Sequence, residues 1–501
     1  MTGFELLCGL VLIFLTFYYY LVRDYDFWKR RGISGPKPVP LFGNFMNSLL
    51  GKISLGDEMV KYYKQYKHLP VVGLFIRNQR VLGIIDPDII KTILIKDFSK
   101  FADRGLRVNK VAEPLSQHLF SLETKRWRPL RTKLSPIFTS GKLKDMFSLI
   151  LECSVNFEKY LDTLVAEGKP IDCRELTARF TTDVIGSCSF GIDANAMSQK
   201  ESKFREIGRQ IFYPGWKQIF RMRLRESLPK LYTLIGYILP HDEMTKFFTE
   251  IVLDTIEYRK KNNIVRHDFI NKLMELQAHS EKLGDIELTD TLLAAQAFVF
   301  FAAGFETSAA TIANALYELA LNQKLQIKVR EEIREHYALN NGEWPYENIN
   351  DMPLLDAVFK ETLRKYPPIT IIMRKAEENY TFEDLKLTIP KGTRIFIPSY
   401  AMQHDPEIYP DPEVFDINRF TADAVAKRHP MHYIPFGDGP RNCIGARFAL
   451  FQTKIGLIKV LLKYKVDTCE ETRPYEIEPR SFLLAPKNTI TLKMSKLTVL
   501  A

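Results

Sequence analysis

One large globular body, tethered by a single N-terminal membrane-spanning helix, is the architecture this sequence predicts. Three observations predict it. The chain opens with a long uncharged apolar run. Beyond residue 45 no linker, repeat or charge block interrupts it. A second charge-free run, deep in the sequence, is too short to cross a bilayer and reads as a core helix.

The first run, Leu6 to Val22, is 17 residues without a charge. As a helix it covers about 26 Å, close to the roughly 27 Å core of an endoplasmic reticulum bilayer. Tyr18, Tyr19 and Tyr20, with Trp28 beyond, suit an aromatic belt at the lipid interface. Lys29, Arg30 and Arg31 follow, and the positive-inside rule then keeps the bulk of the chain in the cytosol. No small-residue cleavage site follows the run, so a removed leader is disfavoured. Residues 1–30 are therefore expected to anchor the chain. Residues 31–45, with Gly35-Pro36-Lys37-Pro38-Val39-Pro40, form a stiff extended hinge, and 46–501 fold as one unit.

With 46% hydrophobic and 26% charged residues, the chain has the composition of a folded protein rather than a disordered one. The net charge of +10 is scattered rather than gathered into tracts, which argues against nucleic acid and leaves membrane headgroups or an acidic protein as partners. Six cysteines with no C-x-x-C pair do not make a disulfide framework in so long a chain. They suit a reducing compartment, most of them as buried fillers.

Residues 436–445 read Phe436-Gly437-Asp438-Gly439-Pro440-Arg441-Asn442-Cys443-Ile444-Gly445, and Phe448, Phe451, Ile455, Ile458 and Leu462 then recur at helical spacing. Cys443 thus sits in a glycine-rich loop just before a helix N-terminus, where the dipole and free N–H groups favour a thiolate. The glycines allow close approach by something large and flat, and Arg441 can neutralise carboxylates on it. Zinc is set aside, because His429, His432 and Cys443 have no fourth ligand at metal-site spacing. The spacing F-x-x-G-x-R-x-C-x-G resembles the haem-binding signature of the cytochromes P450, in which a cysteine thiolate is the proximal iron ligand.

Other segments carry the same resemblance in the same order. The run Leu292 to Phe305 holds no charge, Thr289 and Asp290 suit its N-terminus, and it contains Ala303-Gly304-Phe305-Glu306-Thr307-Ser308. This resembles the family's A-G-x-[D/E]-T-[T/S] groove. The resemblance implies that Thr307 hydrogen-bonds activated oxygen and that Glu306 relays protons. Glu361 and Arg364 match E-x-x-R, and Arg419 in Phe415-Asp416-Ile417-Asn418-Arg419-Phe420 would complete their buried network. Ile417 replaces the family's usual proline, which loosens that turn. Trp127 and Arg131 match W-x-x-x-R. By resemblance these two, together with Arg374, Arg104 and Arg441, hold the haem carboxylates, and Phe436 belongs to the cofactor loop.

The loop and the preceding His429-Pro430 most resemble insect microsomal members of family six. The resemblance implies a mainly α fold with a small β region. It makes residues 46–501 a single haem-thiolate catalytic domain on the cytosolic face of the endoplasmic reticulum. Haem b would be the cofactor and O2 the co-substrate. Electrons would come from NADPH through NADPH–cytochrome P450 reductase, with cytochrome b5 as a further donor. Lys125, Arg126, Arg128, Lys133 and Arg447 would offer that acidic flavoprotein a basic face. Leu115, Phe120, Phe298, Ala302, Ala303, Ile369, Thr370, Ile372 and Leu483, with Phe482 and Leu484, would line an apolar substrate wall. Phe212, Tyr213, Trp216, Phe220, Tyr232, Ile235 and Tyr237, among Arg221, Arg223 and Arg225, suit contact with membrane lipid. The leading reading is oxygen insertion into lipophilic xenobiotics. Oxidation of an endogenous hormone, steroid or fatty acid is the alternative; a haem-thiolate isomerase or a haem scaffold would not need Glu306 and Thr307.

Overall fold

The computed structural model describes residues 3–198, 202–212, 215–238, 242–266, 268–278, 286 and 288–497. Tyr213 and the Trp216 side chain lie outside the described residues. Helices make up about 59% of the chain, so the mainly α class holds. The longest, Asp290–Leu321, runs through the larger hydrophobic core and buries nearly every residue from Leu292 to Ala320 outside one stretch. Thr289 caps it, its side chain accepting from the Leu292 N–H at 3.2 Å, as a hydroxyl before an apolar run should. Helices Cys173–Ile185 and Ala446–Lys463 pack against it.

The β region is small and joins early to late chain, as expected. In the four-stranded sheet, Val71–Ile76 pairs antiparallel with Gln79–Ile84. The latter runs parallel to Arg394–Ile397, which pairs antiparallel with Ile372–Lys375. A second hydrophobic core forms around this sheet.

The N-terminal helix Gly3–Val22 buries none of its residues, and its apolar character suits a membrane span. The chain changes character immediately after it. Trp28, expected at a lipid interface, is instead 2% exposed, and its indole N–H donates to the Leu74 carbonyl at 2.9 Å. Its ring packs on Gly73, where any Cβ would collide with it. The correction has a plain cause: a tryptophan near the end of an apolar run reads as interfacial until the sheet that receives it is known. The proline-rich segment is extended, and it is zipped along the same strand. Gly73 N–H donates to Ser34 O at 2.9 Å, and Asn44 N–H donates to Phe75 O at 2.7 Å.

All six cysteines are free, with Cys173 and Cys188 buried. Cys153 and Cys469 are partly buried and Cys8 is exposed, so fewer serve as core fillers than the sequence suggested.

Candidate functional site

The loop before Ala446–Lys463 is closed by Cys443 N–H donating to Phe436 O at 2.8 Å and by Gly437 N–H donating to Ile434 O at 2.9 Å. Gly437 and Gly439 have φ of 69° and 72°, the left-handed region that glycine enters without strain. At Gly439 no other residue fits, because a Cβ would lie 1.9 Å from the Leu94 carbonyl oxygen. Phe436 stacks on Phe359, at 6.4 Å between ring centroids, and so ties the loop to the helix that carries Glu361.

Cys443 has accessible surface and yet is surrounded by protein, so it fronts an internal space rather than bulk solvent. Burial pushes the thiol pKa up, opposed by the Gly445 N–H, Arg131 and Arg104. A coordinated metal ion is what removes such a proton outright.

Arginines gather beside the loop. Arg441 is 2% exposed, lies 4.7 Å over the Trp127 ring and donates to Ala102 O and Leu122 O. Arg104 donates to Arg441 O at 3.0 Å and to Phe120 O at 2.9 Å. Arg374, also 2% exposed, donates to Met373 O at 2.9 Å. Burial first, and then mutual repulsion, lowers the pKa of Arg374 to about 9 and takes Arg104 well down; Arg441 falls to about 10, mainly by burial. Among the described residues none of these three pairs with a carboxylate, and the Nε atoms of Arg374 and Arg441 are buried without any partner. A buried cluster of one sign is costly unless a counter-charge joins it. A flat ligand bearing two carboxylates meets that need, so haem fits the residues present. Arg131 is turned differently: it donates to Asn442 O at 3.2 Å and to Asn442 Oδ1 at 3.0 Å, bracing the cysteine loop from the side.

On the long helix, Ala303 is exposed and Gly304 and Thr307 are half-buried, as are Phe298, Val299 and Phe300 one turn earlier, an open stretch in an element that is buried on either side of it. Thr307 Oγ1 donates to Ala303 O at 2.6 Å. Glu306 is buried and ion-paired with Arg174 of Cys173–Ile185. Elsewhere, Glu361 Oε2 accepts from Arg364 Nε at 2.7 Å and Oε1 accepts from Arg364 Nη2 at 2.8 Å; Arg419 Nε stands 3.4 Å from Oε1. The turn Ile417–Phe420 forms without the family proline because Asp416 caps it, accepting from Asn418 N–H at 3.0 Å.

The expected substrate wall is only partly assembled in one place. Phe120 lies 4.1 Å beneath Arg104, and the His118 ring stands between Phe120 and Phe298, 5.9 Å from the latter. Leu115, Ala302 and Leu483 are buried in the large core. Ile369 borders that core, Thr370 lies against Gly56, and Ile372 packs on the sheet-side core. Phe482 is exposed and Leu484 buried. In the expected basic face, Lys125, Arg128 and Arg447 are exposed and Lys133 is half-buried. Arg126 is a correction: Glu123 and Gln117 hold it by hydrogen bonds of 2.5 and 2.9 Å, so its charge is already matched.

Sequence reasoning missed His118, Arg174 and Gln296. The signal for Gln296 was present, since an amide inside a charge-free helical run must find partners for each of its polar atoms.

The cytochrome P450 family profile matches residues 33–494. Probable cytochrome P450 6a14 of Drosophila melanogaster is 40% identical over 490 residues, covering 95% of this chain and 96% of its own. Cytochrome P450 6a2 of the same fly is 38% identical, over 99% of this chain and all of its own. Cytochrome P450 6A1 of Musca domestica is 38% identical over 95% of both chains. By this likeness over nearly its whole length, the chain belongs to the cytochrome P450 family, resembles the insect members of family six, and is a haem-dependent monooxygenase supplied with electrons from NADPH by a reductase.

Proposed function

We propose that this monooxygenase oxidises lipophilic xenobiotics, such as plant toxins and insecticides, with Cys443 as the iron ligand. The observation that carries the reading is the open stretch at Ala303 and Thr307, on a helix buried in apolar core on either side of it, together with the aromatic side chains of Phe120 and Phe298. Walls of this kind select by shape and greasiness and bind few polar anchors.

Haem, when bound, supplies the chemistry that splits O2, placing one oxygen atom in the substrate while the other leaves as water with two electrons and two protons. The residues supply the rest. Arg104, Arg374 and Arg441 hold the carboxylate edge, and Arg131 braces the cysteine loop. Thr307 Oγ1 rests on the Ala303 carbonyl, so it must swing away to pass a proton on. Glu306 can take up a proton from solvent once its pairing with Arg174 opens. Glu361, Arg364 and Arg419 fix the helix behind the loop.

The N-terminal helix is the anchor, and Lys29, Arg30 and Arg31 keep residues 46–501, a single catalytic domain, on the cytosolic face. A second lipid contact lies on helices Trp216–Ser227 and Pro229–Ile238, where Phe220, Leu231, Leu234, Tyr237 and Ile238 are exposed together. Arg223 donates to Leu49 O at 3.0 Å and Arg77 to Ser227 Oγ at 2.8 Å, which holds this patch near the base of the anchor. The reductase and cytochrome b5 dock on Lys125, Arg128 and Arg447.

The test is turnover of a panel of plant toxins, insecticides, steroid hormones and fatty acids by the haem-loaded protein with reductase and NADPH. Oxidation mainly of the toxins and insecticides is expected; confinement to hormones or fatty acids overturns the xenobiotic assignment. Cys443→Ala, run alongside, should lose all turnover and the carbon monoxide difference band near the Soret region. An unchanged band would end the ligand assignment.

A further inference from the structure

Gln296 is 1% exposed and spends its amide on the backbone of another segment. Its Oε1 accepts from Leu119 N–H at 2.8 Å; its Nε2 donates to Gln117 O at 2.9 Å and to Leu292 O at 3.0 Å. The two contacted residues flank His118, whose ring bridges Phe120 and Phe298. Just beyond, the carbonyl of Phe120 receives Arg104 and the carbonyl of Leu122 receives Arg441. One amide on the oxygen-activating helix is thus linked, through six residues of backbone, to one face of the substrate wall and to two of the three cationic anchors.

We propose that Gln296 is a positioning residue: it locks the 117–122 segment to the long helix, and so sets both Phe120 against the substrate and the Arg104 and Arg441 guanidinium groups against the haem carboxylates. The physical reason is that these guanidinium groups hang on backbone carbonyls, not on carboxylates, so they are only as well placed as the segment offering those carbonyls. Without the amide, the Leu119 N–H and Gln117 carbonyl are left buried and unpaired, and the segment must shift to satisfy them. The proposal rests on the reading of Arg104 and Arg441 as the carboxylate cradle.

A second buried glutamine provides the matched control. Gln326 is 0% exposed and clamps a strand far along the chain: Nε2 donates to Val466 O at 2.7 Å and to Leu319 O at 3.0 Å, and Oε1 accepts from Val466 N–H at 3.1 Å and also from Arg330. Gln296→Met and Gln326→Met each delete an amide of the same shape, and Gln326→Met, which also takes an acceptor from Arg330, should lower the melting temperature at least as much. Two readouts separate them in the haem-loaded full chain. One is the rate of haem transfer to apomyoglobin. The other is the Soret-shift affinity for 4-phenylimidazole, whose ring reads the wall, compared with imidazole, which does not.

Gln296→Met is expected to transfer haem about 10-fold faster and to bind 4-phenylimidazole about 10-fold more weakly, with imidazole changed less than about two-fold. Gln326→Met should leave all three within about two-fold. If the two variants behave alike, the proposal is overturned. Should Gln296→Met yield no folded protein, Gln296→Glu, which keeps the acceptor for Leu119 and loses the donor to Gln117, makes the same comparison. Arg104→Met is measured in parallel. If it leaves haem transfer unchanged, the cradle reading falls and the proposal with it; if it accelerates transfer while the Gln296 variants do not, the Gln296 proposal alone falls.

Discussion

Two groups of largely buried arginines lie in this protein, and they differ in whether a carboxylate stands among them. Around Glu361, the carboxylate receives Arg364 twice, the Asp416 N–H at 3.0 Å and the nearby Arg419. Arg364 spends its remaining N–H groups on Gln403 O and Pro412 O. Beside Cys443, Arg104, Arg374 and Arg441 meet carbonyls, two aromatic rings and one another, and among the described residues none of them meets a carboxylate. A network built on a carboxylate is a strut. An all-cationic one is a socket, and the sign of its surplus states the charge of what belongs there. Substitution should therefore affect stability in the first group and ligand retention in the second.

The largest effect is expected at Glu361. Glu361→Gln strips the counter-charge from two buried guanidinium groups, which should cost about 3–5 kcal/mol and leave little folded protein, read by denaturant unfolding. A loss below about 1 kcal/mol would break the distinction. Next comes acid. His404, beside Arg364, is buried, and that burial with the nearby Arg364 charge lowers its pKa from 6.5 to about 3. Its folded value lies below its unfolded one, so the unfolded chain takes up the proton first as pH falls. Stability is therefore full above 6.5 and declines toward 3, by about 3 kcal/mol at pH 4 if His404 acts alone. His404→Gln should flatten that decline relative to the parent in unfolding measured at pH 7 and pH 4.

In the socket the sign reverses. Arg374→Met removes a buried charge that meets no carboxylate among the described residues, so the haem-free chain should keep its stability or gain about 1 kcal/mol. Haem should nevertheless leave about ten times faster, as followed by transfer to apomyoglobin. A strongly destabilised haem-free variant would place Arg374 with the struts. The smallest effect sets the baseline: removing residues 3–22, none of them buried, should change stability by no more than about 0.5 kcal/mol and release much of the protein from membranes. Extending that cut to residue 30 takes Trp28 out of the sheet, and the baseline is lost.

Features that depend on neighbours in sequence were readable. The long helix, its Thr289 cap, the glycine loop and the E-x-x-R helix all follow from periodicity and spacing. Features that depend on distant strands were not. The parallel pairing of Val81 with Arg394, the burial of Trp28 and the docking of Glu306 on Arg174 join segments more than a hundred residues apart, or turn on a sheet that local pattern does not announce. Arg126 failed for a smaller reason: Glu123, three residues earlier, competes for its charge, and the count of basic residues ignored it. The socket was legible as separate arginines in family motifs. That they hang on the carbonyls of Ala102, Phe120 and Leu122 became visible only in three dimensions.

The seating of Trp28 carries a consequence for the molecule as a whole. Between Val22, where the N-terminal helix ends, and the buried indole lie only residues 23–27. Even fully stretched, that leash reaches about 20 Å. With the helix in lipid, the sheet must ride within that distance of the headgroups, so the sheet side of the body is the side held nearest the bilayer.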